Sequence, residues 1–512
     1  MIASTAQGRL EGVVDRAADG TEVLHFRGIP YAAAPVGERR FRPPGPPPAW
    51  EGVRPARDFG PVAWQSTGGM SMLLGDQGGV PSEDCLVLNV STPGCDDGRR
   101  PVMVWIHGGG FVNGSSSSSW YDPTRMCARG DVVVVGLNYR LGALGFLWLG
   151  DLDPDLGSSG VNGLLDQVAA LRWVQENIAA FGGDPDQVTL FGESAGAMSS
   201  ATLLAVPEAK GLFHRVIAQS GAASNTFGPE VAAEITSSVM ARMGVTTVEE
   251  VLAADPADLV AADTAVNREV LQDPRRIAGP TGIALALPFQ PVVDGRWLPT
   301  SPLEAVRSGA AADVSLLIGT NADEWNLFRL LSPGGLDHPQ LLDRLDRVFT
   351  HGHRIHDTYA ADHADATPDE LWSEILTDAA FRIPAVRLLE ARAAAGSSSP
   401  SYQYLFSWAT PAFGGLVGSC HALELPFVFG ALGHPGAELI LGGAATSELW
   451  ALADAVQDAW IAFARTGDPS HPGLPDWPAW TVERRAAMRL DTTREVLDDP
   501  DGAERAVWEA VL

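Results

Sequence analysis

The run Val188-Thr189-Leu190-Phe191-Gly192-Glu193-Ser194-Ala195-Gly196 decides the reading of this chain. Its first four residues are apolar or β-branched and suit a buried strand. A Gly-x-Ser-x-Gly turn follows directly. Such a turn lifts the serine hydroxyl clear of a sheet, and small neighbours let the next helix pack close behind it. A Gly/Ser-rich chain matches the pattern by chance, so the other parts a serine nucleophile needs must be sought elsewhere.

Alternation of strand-like and helix-like runs surrounds the motif. Pro101–Ile106 and Asp131–Leu137 are short and almost wholly apolar, as buried parallel strands are. Residues 164–180 carry Leu165, Val168, Leu171, Val174 and Ile178 at helical spacing and stop near Gly182-Gly183. Val216-Ile217-Ala218, Ser315–Ile318 and Tyr402–Trp408 are further strands. The pattern predicts an α/β protein with a mostly parallel central sheet and helices on both faces. Residues 229–272 and 336–394 read as helical insertions above the sheet.

Length would allow several domains in 512 residues, but no linker divides them, so a single domain over 1–512 is expected. Arg42–Trp50 and Ala395–Ser401 are short enough for loops, and Ser115–Ser119 is expected to be an exposed loop. A net charge of −28 repels phosphate backbones and anionic membranes, which argues against nucleic acid or membrane partners. Lys210 is the single lysine. The start of the chain lacks the pattern of a signal peptide, and no apolar run reaches the 18 residues of a spanning helix. Cys85, Cys95, Cys127 and Cys420 form no Cys-x-x-Cys pair; free thiols and a cytoplasmic location are expected.

A neutral serine needs a base, an acid to orient that base, and amide donors for the developing oxyanion. His107-Gly108-Gly109-Gly110-Phe111 follows an apolar strand and leaves backbone N–H groups bare. With the amide after the serine, the donors would be Gly109, Gly110 and Ala195. The base must lie well beyond Ser194, which makes His421 a candidate beside His434 and His471. Asp323 and Glu324, after the strand 315–318, are the candidate acids, and position does not separate them. The residues 351–365 hold four histidines with Asp357, Asp362 and Asp365; a metal site there is conceivable by residue type, but a solvated polar helix is the preferred reading. No metal or organic cofactor is called for.

Together these stretches resemble the type-B carboxylesterase/cholinesterase family of α/β-hydrolases. The likeness spans nearly the whole chain: Phe26–Ala32, Ser82–Leu86, Trp105–Phe111, Asn138–Gly142, Asn162–Gln167, Phe181–Pro185, the elbow, Gln219–Gly221, Pro291–Gly295, Asp323-Glu324, His421–Gly430 and Phe463–Pro469. It implies the α/β-hydrolase fold, with its insertions over the active site, and a serine esterase with a Ser194, His421, Glu324 triad. It places Ser220 in support of the triad; Glu193, beside the nucleophile, either stabilises positive charge near the site or only braces the elbow. It implies structural ion pairs Asp166–Arg140 and Arg42–Glu83. Leu285, Leu287 and Phe289 resemble the family's acyl-pocket segment, with plain core as the other reading, and Trp325 is expected to reshape that pocket. Where the family often has a cysteine, Pro61–Gln65 has none, so Cys85 is expected to be free. Gly75 stands where cholinesterases carry a cation-binding tryptophan, which speaks against choline esters. Trp325 replaces the usual glycine after the acid. Small-molecule carboxylic esters are the expected substrates. An amide or carbamate hydrolase would use the same machinery, and a non-catalytic binding module is the reading an intact site opposes. The natural ester and the oligomeric state are not encoded in any legible pattern.

Overall fold

The apolar run at 101–106 becomes the middle of a large sheet in the computed structural model, which describes residues 1–66, 79–272, 287–331 and 334–511. The strands are β1 (Ile2–Thr5), β2 (Gly8–Glu11), β3 (Val13–Arg16), β4 (Glu22–Pro30), β5 (Val53–Pro55), β6 (Val87–Thr92) and β7 (Arg100–Ile106). They continue as β8 (Val133–Leu137), β9 (Gly183–Glu193), β10 (Arg215–Gln219), β11 (Ser315–Asn321), β12 (Ser401–Phe406), β13 (Ala486–Leu490) and β14 (Glu495–Asp498). β1, β2 and β5 form a small separate sheet. The other 11 strands lie in the order β14-β13-β12-β11-β10-β9-β7-β8-β6-β4-β3. From β13 through β8 every pairing is parallel; the strands outside that block pair antiparallel.

Alternation along β7 explains why both faces are covered. Val102, Val104 and Ile106 enter one core, which also holds Leu164, Val168, Leu171 and Val174 of the helix Asn162–Asn177. Met103 and Trp105 enter the opposite core, with Phe427, Phe429 and, from the helix Ser447–Thr466, Leu452, Val456, Trp460 and Phe463. Successive residues of a strand point to opposite faces, so an uninterrupted apolar run requires a layer on each side.

The insertions are helical where expected. Residues 229–272 hold Pro229–Met243, Val248–Ala253 and Pro256–Gln272. Residues 336–394 hold His338–Val348, Gly352–Asp362, Pro368–Thr377 and Ile383–Ala394, with their own apolar cluster around Leu341, Ile355 and Ile375. No helix among the described residues is long and apolar enough to cross a membrane.

Three expectations change. Ser115–Ser119 is not an exposed loop, since Ser115, Ser116 and Ser118 are buried. The reason is internal pairing: Ser116 gives both its N–H and its hydroxyl to Asn138 Oδ1 at 2.9 Å and accepts from Asn89 Nδ2. Asp131 lies outside β8, in a left-handed conformation that ends the helix Thr124–Gly130. The partner of Glu83 is Arg40, not Arg42. Arg40 holds Glu83 through Nε and Nη2, each at 2.6 Å, and gives Nη1 to the carbonyls of Leu252 and Ala254 in the insertion. Arg42 instead donates to the carbonyls of Glu38 and Asp155. Between the two arginines, Phe41 is buried with φ 59°, a reversal that turns its neighbours apart.

The other implied pair is present. Arg140 meets Asp166 through Nε and Nη2, both at 2.7 Å, and both side chains are buried. Removing one partner would strand the other charge without water, at a cost of about 3–5 kcal/mol. Asp166→Ala is therefore expected to lower the urea midpoint strongly at unchanged slope, whereas a replacement that leaves the midpoint in place would mean the pair is solvated.

Candidate active site

β9 delivers Ser194 to the carboxyl end of the sheet, where the chain turns at φ 54°, ψ −124° into the helix Ala195–Leu203. L-residues avoid this backbone region, and the surroundings enforce it. The Ser194 N–H is bonded to the Gln219 carbonyl at 2.8 Å. A Cβ on Gly196 would lie 1.9 Å from the Ile106 carbonyl oxygen, so only glycine lets the helix approach β7 so closely. Ser194 itself is partly accessible.

The glycine loop sits against this turn. A Cβ on Gly108 would come within 3.2 Å of Ser194 Cβ and 2.7 Å of Glu193 Oε2. Gly109 has φ 111°, and its carbonyl accepts from the amides of Val112 and Asn113, which folds the loop back on itself. Gln65 pins the far end: its Oε1 accepts from Gly114 N at 2.8 Å and its Nε2 donates to Gly114 O at 3.0 Å. His107 is buried and stacked on Tyr139 at 4.6 Å, and burial lowers its pKa to about 4, so it is neutral.

Geometry separates the two candidate acids. Glu324 is fully buried; its Oε2 is 2.6 Å from His421 Nδ1 and its Oε1 accepts from Asn321 N at 2.8 Å. Asp323 turns away and accepts from Ser419 N at 2.7 Å. Of the rival histidines, His471 bonds the Ala455 carbonyl, and His434 stands at the N-cap of the helix Pro435–Leu441. His421 Nε2 lies 3.1 Å from Glu193 Oε1, and Ser194 makes no side-chain hydrogen bond among the described residues. The structure thus brings His421 together with Glu324 and with the residue before Ser194, but does not bond it to the serine hydroxyl.

The imidazole stands in a buried acidic cluster. Burial opposes its charge, yet Glu193, Glu324 and Glu424 outweigh burial and lift His421 to about 9. Burial raises Glu193 to about 8, with Glu424 and Glu324 adding and His421 opposing. Burial also raises Glu424, against the amides of Gln219 (2.9 Å) and Asn321 (2.7 Å) that bind it. Neither Glu424 nor these amides stood out in the sequence as site residues. Their signal was present only as polar residues inside apolar strand and helix runs.

Ser220 is buried with φ 53° at the end of β10, its hydroxyl without a partner among the described residues. Leu287 lies beside Gly110; Phe289 is buried in the main core; Leu285 and Gly75 fall outside the described residues. Trp325 packs in the insertion's apolar cluster and against Phe328 at 5.0 Å. The rings that reach the imidazole are Phe328 at 5.2 Å and Phe381 at 4.9 Å, both missed by the sequence reading. Of the histidines at 351–365, His356 lies 3.0 Å from Asp357 and His363 lies 2.9 Å from Glu504, and no group of three or more such side chains is placed to hold a metal among the described residues. All four cysteines are free.

Comparison with known proteins bears on the whole chain. Residues 1–508 match the model of the Carboxylesterase family. The chain is 40% identical over 508 residues to para-nitrobenzyl esterase of Bacillus subtilis, covering 98% of this chain and 97% of that one. It is 35% identical to phenmedipham hydrolase of Pseudarthrobacter oxydans, over 97% of each. A crystal structure of a carboxylesterase from Geobacillus stearothermophilus superposes with a TM-score of 0.86 at 43% identity, over 99% of both chains. With that fold, that match and an elbow serine at the sheet's carboxyl end, the chain belongs to the carboxylesterase family and is a serine carboxylesterase, a hydrolase of small-molecule carboxylic esters.

Proposed function

We propose that Ser194 is the nucleophile, His421 its base and Glu324 the acid that orients the base. The buried 2.6 Å bond between His421 Nδ1 and Glu324 carries this reading, because it fixes the tautomer that leaves Nε2 free to take a proton. Ser194 Oγ attacks the ester carbonyl as its proton passes to Nε2. The N–H groups of Gly109, Gly110 and Ala195 receive the oxyanion, each donor worth about 3–4 kcal/mol in the transition state. The imidazolium then protonates the departing alkoxide, leaving an acyl-serine. Water, deprotonated by the same nitrogen, attacks the acyl carbon and frees the acid. For this, the Ser194 hydroxyl must come within reach of Nε2; unliganded enzymes commonly hold such catalytic bonds loosely and tighten them around substrate.

Imidazole and leaving alcohol face each other in this chemistry. Phe328, half-buried beside His421, therefore favours an aromatic alcohol, and p-nitrobenzyl esters, the substrate named for the Bacillus relative, are the first to assay. Ser220 supports the elbow from β10, and Leu287 borders the oxyanion loop on the acyl side. Four free thiols suit a reducing, cytoplasmic setting.

Ser194→Ala is expected to lower kcat by about 10⁴-fold or more and to abolish stoichiometric labelling by an organophosphate, with the unfolding midpoint retained. Labelling that persists in this variant would move the nucleophile elsewhere.

Glu193 Oε1 lies 3.1 Å from His421 Nε2, so the two groups titrate as a pair. The negative carboxylate stabilises the imidazolium and so raises the pH at which the base becomes free. In Glu193→Gln that anion is gone, His421 loses its proton more readily, and the acid limb of kcat/KM is expected to move to lower pH. A limb that stays fixed or rises would remove Glu193 from the electrostatics of the base.

A further inference from the structure

The helical run 368–394 is not regular. It is α-helical over Pro368–Thr377 and Ile383–Ala394, and between them Asp378–Arg382 forms a π-helical turn in which the Ile383 N–H bonds to the Asp378 carbonyl. Pro384 accounts for the wide turn. It has no N–H to give, and in a regular helix its ring would strike the carbonyl of Ala380, four residues back. One additional residue in the turn relieves that clash, and such bulges recur at functional sites.

The turn's effect is where it puts Phe381. This ring is fully buried, 4.9 Å from the His421 ring and stacked with Phe328 at 6.4 Å. Two phenyl rings thus confine an imidazole whose nitrogens face Glu324 and Glu193.

Arg382, the next residue, fixes the turn from behind. Its Nε lies 2.5 Å from Asp378 Oδ1, its Nη2 lies 2.8 Å from Glu504 Oε2, and its Nη1 pairs with Asp501. Asp501 and Glu504 belong to the N-cap and first turn of the C-terminal helix Gly502–Glu509. Asp378 is buried and accepts from the Tyr359 hydroxyl, which in turn accepts from the Trp508 indole at 2.8 Å. On the other side, Thr377 Oγ1 accepts from Trp325 N at 3.0 Å, directly after Glu324.

We propose that the Pro384-imposed turn is a positioning device for the catalytic imidazole, in which Phe381 restrains His421 and Arg382, latched to the C-terminal helix, restrains Phe381. The inference rests on His421 being the base. A ring bonded at Nδ1 alone can pivot about that bond, and the flanking phenyl groups block the pivot. Buried ion pairs of this kind add little net stability but hold a defined geometry. Misplacement by an ångström is enough to slow catalysis on the order of 10²-fold.

The test uses the full chain, with kcat expressed per active site titrated by an organophosphate, so that loss of folded enzyme does not register. Phe381→Ala is expected to lower kcat by about 10- to 100-fold with KM changed less than about 3-fold. Arg382→Met is expected to lower kcat by a smaller factor, and Arg382→Lys to restore part of it. If Arg382 acts through Phe381, the double variant Phe381→Ala/Arg382→Met falls no further than Phe381→Ala alone. Unchanged kcat per titrated site in Phe381→Ala, or losses that multiply in the double variant, would overturn the proposal. Should Phe381→Ala not fold, Phe381→Leu supplies the same readout with a smaller expected loss. His421→Ala tests the premise separately: retained turnover there defeats the base assignment, whereas its loss together with an unaffected Phe381→Ala defeats only the positioning claim.

Discussion

Ser194 occupies a backbone conformation that costs about 1–3 kcal/mol, and the architecture around it exists to hold that strain. Three neighbours share the work. β10 accepts the serine amide at Gln219, β7 admits the following helix only because Gly196 lacks a side chain, and Gly221 leaves room for the Ser194 carbonyl. The first two contacts come from the parallel block of strands, buried on both faces, and Gly221 follows just after it. A turn embedded in two packed cores cannot relax without moving the sheet, so the hydroxyl is aimed before substrate arrives.

A second constraint is the accounting of charge around one imidazole. Glu193, Glu324 and Glu424 surround His421 in a chain whose net charge is already −28. Amides rather than cations solve part of the problem. Gln219 and Asn321 bind Glu424, while Gln219 Oε1 accepts from the Trp460 indole at 3.0 Å. Burial meanwhile pushes Glu193 and Glu424 toward their neutral forms. A buried acidic cluster can thus keep one base poised without a compensating arginine, provided its carboxyls do not all ionise together.

Local chemistry was legible in the sequence. The elbow, the glycine loop, the strand runs of β7 to β12 and both helical insertions follow from short-range patterns, and the structure has them within a few residues. Choices decided by long-range packing were not. Spacing could not separate Asp323 from Glu324, because adjacent residues in a turn point different ways and only the partner, Ser419 N or His421, tells which is which. Likewise, Arg40 and Arg42 are interchangeable on the page until Phe41 reverses the chain between them. Serines 115–119 looked solvated because their pairing with Asn138 and Asn89 spans distant segments. Phe381 sat inside the helical insertion 336–394 and Phe328 in no motif, and their contact with His421 arises from tertiary structure alone.

The rims of the large sheet carry one more consequence. Its outermost strands are β3 and β14, each four residues long and mostly open to solvent. β3 ends in Asp15 and Arg16, and β14 is bracketed by Glu495 and Asp498, which engage Arg489 and Arg484. Another molecule's strand docking on either border would have to strip water from those ions. Short, charged margins of this sort discourage sheet-to-sheet polymerisation of an eleven-stranded sheet.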